Sequence, residues 1–123
     1  MGKFQVKAAG KDGLMFNLLA TNGQVIATSE IYNSKASLKN GIASVQKNAP
    51  EAPIEDQTKE GFATEKNPKF EIYQDKSEKF RFRLKAKNGE IIAVSQAYAS
   101  HKTALEGIAS VKKNAQDATI VEE

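Results

Sequence analysis

The chain repeats itself. Sliding the sequence by 66 positions sets Phe4 on Phe70 and Gln57 on Glu123 without a gap, and about 21 of the 54 aligned pairs are identical. A duplication constrains the fold more than any local pattern, because both units must adopt one structure and share a core that neither is large enough to build alone. The identities form two blocks. Asn22-Gly23-x-x-Ile26-Ala27-x-Ser29-x-x-Tyr32-x-Ser34 recurs as Asn88-Gly89-x-x-Ile92-Ala93-x-Ser95-x-x-Tyr98-x-Ser100. Gly41-Ile42-Ala43-Ser44-Val45-x-Lys47-Asn48-Ala49 recurs from Gly107 to Ala115.

Each unit reads the same way. Apolar residues fall at every second position in Phe4-Gln5-Val6-Lys7 and Phe70-Glu71-Ile72-Tyr73, and Phe80-Arg81-Phe82-Arg83-Leu84-Lys85 alternates cleanly, the mark of half-buried strands. Asn22-Gly23 and Asn88-Gly89 tolerate positive φ and predict hairpin turns into Val25-Ile26-Ala27 and Ile91-Ile92-Ala93. Ser34 and Ser100 suit helix N-caps for segments ending near Asn48 and Asn114. Leu38, Ile42, Val45 and Ala49 form one helical stripe, and Ala104, Ile108, Val111 and Ala115 form its copy. Gly41 and Gly107 lie inside these helices at a cost of about 1 kcal/mol each against alanine, which predicts close approach of backbone to a strand or to the other helix. Ala49-Pro50-Glu51-Ala52-Pro53 stops the first helix. Ile54 and Ile120 mark a short fourth strand, giving an α+β unit of order β-β-β-α-β. Residues 1–123 thus read as a single pseudo-twofold domain, with repeat 1 over about 3–57, a linker over about 58–68 and repeat 2 over about 69–123.

Composition narrows the function classes. With 40% hydrophobic and 27% charged residues the chain is neither disordered nor membrane-spanning, and a water-soluble domain is expected. Met1-Gly2-Lys3-Phe4 runs directly into a strand pattern, and Val6 stands where N-myristoylation wants Ser or Thr, so a cytoplasmic location is expected. The absence of cysteine removes disulfides, thiol catalysis and thiolate metal sites together. A net charge of +3, spread over both halves, is weak for a nucleic-acid binder.

The Asn-Gly, Ile-Ala-x-Ser, Tyr-x-Ser and Gly-Ile-Ala-Ser-Val-x-Lys-Asn-Ala blocks, with Phe80-Arg81-Phe82-Arg83-Leu84-Lys85-Ala86, resemble the YegP-like family of uncharacterised small proteins in its tandem-repeat form. The resemblance covers nearly the whole chain. It implies two tandem β-β-β-α-β repeats forming one antiparallel sheet, with exchanged C-terminal strands and two helices on one face. It implies no activity. Repeat 1 departs from repeat 2 where Met15, Asn17 and Leu19 stand for Arg81, Arg83 and Lys85, and Lys7 for Tyr73.

That divergent face holds the sharpest candidate site. Tyr73, Arg81, Arg83 and Lys85 project to one side, where an aromatic ring among cations can stack a base and hold phosphate. Cations covering a solvated sheet with their aliphatic stems give the same pattern. On repeat 1, Met15 and Leu19 form an apolar patch that the linker is expected to cover through Phe62. Lys35, His101 and Lys102 place cations in first helical turns, where the dipole disfavours them and an anion would be welcome. Asn22, Gly23, Tyr32, Gly41, Asn88, Gly89, Tyr98 and Gly107 are kept in both units, which favours structural duties, since one active site needs one set. No phosphate loop, nucleophile elbow or paired acidic motif occurs, and the sequence assigns no catalytic, cofactor or metal residues.

The expected function is therefore a non-enzymatic binding or structural module. A weak nucleic-acid or polyanion binder acting through the basic face of repeat 2 is the first alternative. An enzyme with an inter-repeat site around Tyr32, Tyr98 and His101 is the second. No membrane partner is expected, and a monomer is, because the duplication already supplies two units.

Overall fold

The protein is described by a computed structural model over residues 2–122. The first half contains β1 (Lys3–Ala9), β2 (Gly13–Leu19), β3 (Val25–Thr28), α1 (Lys35–Asn48), a 3-10 turn (Ala49–Glu51) and β4 (Ile54–Asp56). The second contains β5 (Lys69–Gln74), β6 (Phe80–Lys85), β7 (Ile91–Val94), α2 (His101–Asp117) and β8 (Thr119–Glu122). All eight strands join one sheet in the order β4-β5-β6-β7-β3-β2-β1-β8. Each half therefore sends its last strand to the far edge of the other. The halves meet at the middle of the sheet, where Thr28 on β3 opposes Val94 on β7.

The sheet is mixed and not purely antiparallel. β4 runs parallel to β5 and β8 parallel to β1, while the meanders β1-β2-β3 and β5-β6-β7 are antiparallel. Hairpins join antiparallel neighbours in a few residues, but parallel neighbours need a crossover of about a dozen. That is the span between Asp56 and Lys69, which accounts for the linker's length.

Local chemistry sets the turns and helix ends. Ala20 and Gln24 pair across a loop in which Gly23 donates to the Ala20 carbonyl and takes φ +86°, while Asn22 Oδ1 accepts from the Gln24 amide. Ala86, Asn88, Gly89 and Glu90 repeat this with φ +87° at Gly89. The asparagines thus act through their side chains, and only the glycines use the left-handed region. Ser34 accepts from the Ser37 amide, and Ser100 forms a reciprocal box with Thr103. α2 runs three residues beyond Asn114, to Asp117, because no proline stands where Pro50 ends α1.

One core serves both halves. Phe4, Phe16, Leu18, Phe70, Phe82 and Leu84 on the sheet pack with Leu38, Ile42, Val45, Ile108 and Val111 on the helices, all essentially buried. α1 lies over β2 and β7, and α2 over β6 and β3, so each helix spans its own half and the other. Tyr32 stacks on Phe16 with ring centres 6.2 Å apart, and Tyr98 on Phe82 at 6.1 Å. These tyrosines explain the helix glycines. A Cβ at Gly41 would collide with the Tyr32 hydroxyl, and one at Gly107 would lie 2.5 Å from the Tyr98 hydroxyl. The close approach at Gly41 and Gly107 comes from a tyrosine ring and not from backbone.

Candidate functional site

The charged face is built by strand register. Phe70, Ile72, Phe82 and Leu84 turn to the core, so the alternate residues turn outward, with Lys69 opposite Lys85, Glu71 opposite Arg83 and Tyr73 opposite Arg81. The exchanged strand β4 adds Glu55 beside Glu71. The four residues picked from sequence are thus brought together, but in the company of Glu55, Lys69, Glu71 and Asp75.

Those additions change the chemistry. Arg83 Nε lies 2.5 Å from Glu71 Oε1, Lys85 Nζ 3.3 Å from Glu71 Oε2, and Arg81 Nε 2.8 Å from Asp75 Oδ2. Lys69 Nζ bridges Glu55 at 2.7 Å and Glu71 at 3.2 Å. The Arg83 guanidinium sits 4.5 Å above the Tyr73 ring, occupying the surface on which a base would stack. Asp75 Oδ1 also accepts from the Ser77 and Lys79 amides, so one carboxylate holds both the β5–β6 turn and Arg81.

Glu55, Lys69 and Glu71 are almost wholly buried although they lie on the outer face. The linker folds back to Glu55, whose Oε1 accepts from the Glu65 amide at 2.8 Å. Burial alone would raise the Glu55 carboxyl, but hydrogen bonds from Lys69, Gln57 and the Glu65 amide outweigh it and hold it at about 2. The hydrogen bond to Glu55 raises Lys69 against the opposing effect of burial. Glu71 is likewise pulled down, against burial, by Arg83, Lys69 and Lys85. Asp75 is lowered chiefly by Arg81.

The same face of repeat 1 has Lys3 and Lys7 on β1 but uncharged side chains at the three β2 positions, Met15, Asn17 and Leu19. Asn17 donates to Gln5 Oε1 at 3.4 Å and accepts from Thr28 Oγ1 at 2.9 Å, and Met15 and Leu19 are half-buried beside them. The linker does not shield this patch. It joins β4 to β5 at the opposite end of the sheet from β2, and Phe62 remains 42% exposed.

His101 finds a partner the sequence did not suggest. Its Nε2 lies 2.7 Å from Oδ2 of Asp56 on the exchanged strand β4, and Lys35 lies 2.9 Å from Glu122 on β8 at the equivalent place. Lys35 and His101 therefore each hold the other half's last strand through a carboxylate of this chain. Tyr32 and Tyr98 line separate clefts, so the structure gathers no common site from Tyr32, Tyr98 and His101. Burial raises both phenols. Ser29 and Ser95 are structural: each accepts from a strand amide, Phe16 or Phe82, and donates to the next residue's carbonyl. Among the described residues no group of three or more His, Asp or Glu side chains could hold a metal ion, and no helix is long and apolar enough to cross a membrane.

The chain matches the protein-family profile "Domain of unknown function (DUF1508)" at residues 10–56 and 75–122, one match in each half. It belongs to the DUF1508 family. Among its DUF1508 relatives, the UPF0339 protein YegP of Yersinia pestis is 43% identical over 114 residues, 93% of this chain and 88% of that protein. A UPF0339 protein of Treponema denticola is 68% identical over 54 residues, 44% of this chain but 93% of the relative, which is thus about one repeat long. The solution structure of yegP from E. coli, a protein of unknown function, superposes with a TM-score of 0.82 at 36% identity, covering 99% of this chain and 92% of that one. A UPF0339 protein from Shewanella oneidensis gives 0.81 at 35% identity, covering 98% and 90%. The DUF1508 fold accordingly extends over both halves of the chain, and none of these relatives' names carries an activity.

Proposed function

We propose that the protein is a non-enzymatic binding or structural module, acting as a monomer in the cytoplasm, and that the charged face of repeat 2 serves the fold. The observation that carries this reading is the pairing of the face: Lys69, Arg81, Arg83 and Lys85 each contact a carboxylate of the same chain. A polyanion would have to displace Glu71 from three cations and Arg83 from Tyr73 before gaining contacts of its own. Counterion release, the usual drive for such binding, is weak where the cations are already neutralised by the protein.

Titration of a labelled single-stranded oligonucleotide at low salt tests the reading against the polyanion alternative. A flat curve is expected. Saturable binding that weakens with salt, with a slope reduced in R81A/R83A, would replace it with the nucleic-acid reading. Sedimentation at micromolar concentration is expected to give a single monomeric species.

A further inference from the structure

Two open clefts occupy equivalent places, one between the Asn22-Gly23 turn and α2, the other between the Asn88-Gly89 turn and α1. Of the seven lining positions they share, six carry the same residue in both copies, against about 21 of 54 along the whole alignment. Core packing accounts for Ala20 and Ala86 but not for the polar identities. Ile42, Val45 and Ala49 of the same helical block face the core, whereas Ser44, Lys47 and Asn48 face the cleft together with Asn88. Ser110, Lys113 and Asn114 line the other with Asn22.

The retained groups are mainly hydrogen-bond donors. Asn22 and Asn88 use Oδ1 on their own turns, which leaves each NH2 for a guest. Ser44 accepts from Asn48 at 3.0 Å and Ser110 from Asn114 at 3.0 Å, which frees each hydroxyl proton to donate elsewhere. Lys47 and Lys113 form no ion pair among the described residues. The helix dipole gives a reason for Lys47, in the last turn of α1, but not for Lys113, since α2 continues to Asp117 and its last turn holds no basic residue.

We propose that each cleft binds a small oxyanion, the carboxylate or phosphate group of a soluble metabolite, between the lysine and the amide and hydroxyl donors. The proposal rests on the binding-module reading and gives it two equivalent sites. With volumes of about 380 and 550 Å³ the clefts are of ligand size. The sites are not equal in charge: Lys87 in the α1 cleft replaces Thr21, while Glu51 lines that cleft and Glu106 the other. The α1 cleft, with two cations to one carboxylate, binds more tightly.

The test is a series of ¹H–¹⁵N correlation spectra of the full chain, titrated separately with sodium phosphate and sodium acetate while chloride holds ionic strength constant. Localised shifts at Ser44, Lys47, Asn48 and Asn88, followed by Asn22, Ser110, Lys113 and Asn114 at higher concentration, are expected, and the more effective anion separates phosphate from carboxylate. K47A should weaken the α1 cleft by about tenfold or more and leave the α2 cleft unchanged, which also shows that the variant is folded. Absence of localised shifts, or shifts that K47A/K113A leaves in place, overturns the proposal. Shifts confined to β5 and β6 overturn it too, while leaving the binding-module reading standing at another site.

Discussion

His101 Nε2 lies 2.7 Å from Asp56 Oδ2, so the first residue of α2 holds the strand that the other half of the chain contributes. Lys35 and Glu122 repeat the contact at 2.9 Å, 66 positions away in each partner. The Asp56 carboxyl, which burial would raise, is brought below its ordinary range by Thr58 and His101. A carboxyl with a depressed folded pKa stabilises above its unfolded value, and that contribution is lost as pH falls through the folded one. H101A should therefore lower stability by up to about 1 kcal/mol at neutral pH and speed amide exchange in β4, with the difference from wild type shrinking in acid. H101K, which restores the residue type of repeat 1, should retain most of the effect. Urea midpoints measured across pH check both.

The Glu55–Lys69–Glu71 cluster gives a sharper acid response. Glu55 is held at about 2 and ionises near 4.3 in an unfolded chain, so its contribution is complete above that value and disappears between the two. Wild type should show a loss of stability over this window that is reduced in E55V, the variant carrying the repeat 2 residue at the equivalent position, Val121. K69M, by contrast, leaves two buried carboxylates without their shared cation and should cost about 3–5 kcal/mol at neutral pH. Denaturant unfolding of the three proteins at two pH values separates these outcomes.

Tyr32 occupies the space that a side chain at position 41 would need. G41A should destabilise the protein by about 1–3 kcal/mol despite alanine's better helix propensity. In a Y32A background the clash is gone, and the same change should become neutral or stabilising by up to about 1 kcal/mol. A reversal of sign across this double-mutant cycle assigns the glycine to the tyrosine. Simple additivity would assign it elsewhere.

Ser95 accepts from the Phe82 amide at 2.9 Å in a buried position. S95A leaves that amide unpaired and should cost about 1–3 kcal/mol, with S29A matching it in the other half. Thermal unfolding of the two single variants checks the magnitude and the equivalence of the copies.

How much of this was legible in the sequence depends on whether the cause is local. Asn22-Gly23, Ser34, Ser100 and the helical stripes act within a few residues, and each stands in its expected place. The exchange of β4 and β8 has no local signature and was implied only by family resemblance. The parallel direction of these strands follows from how the chain crosses to the far edge, which residue patterns do not record. The candidate face shows the same division. Alternation puts Tyr73, Arg81, Arg83 and Lys85 on one side, and the same alternation could have revealed Lys69 and Glu71. Glu55 reaches that face only through strand exchange, and with it comes the buried network that makes the face self-contained. The glycines were read correctly as a need for close approach, but tyrosine rings fill the space, a long-range contact no spacing rule encodes.

The central claim is that the cations of repeat 2 are held by their own chain, and the unfolding free energy of R83A tests it most directly. Glu71 is buried, and Arg83 lies 2.5 Å from one of its oxygens. Removing the guanidinium should lower stability by about 1–3 kcal/mol, the range for leaving a buried charged partner short of a hydrogen bond. An R83A protein as stable as wild type would contradict the account, because the arginine would then contribute nothing to the fold and would have to be kept for a partner outside the chain.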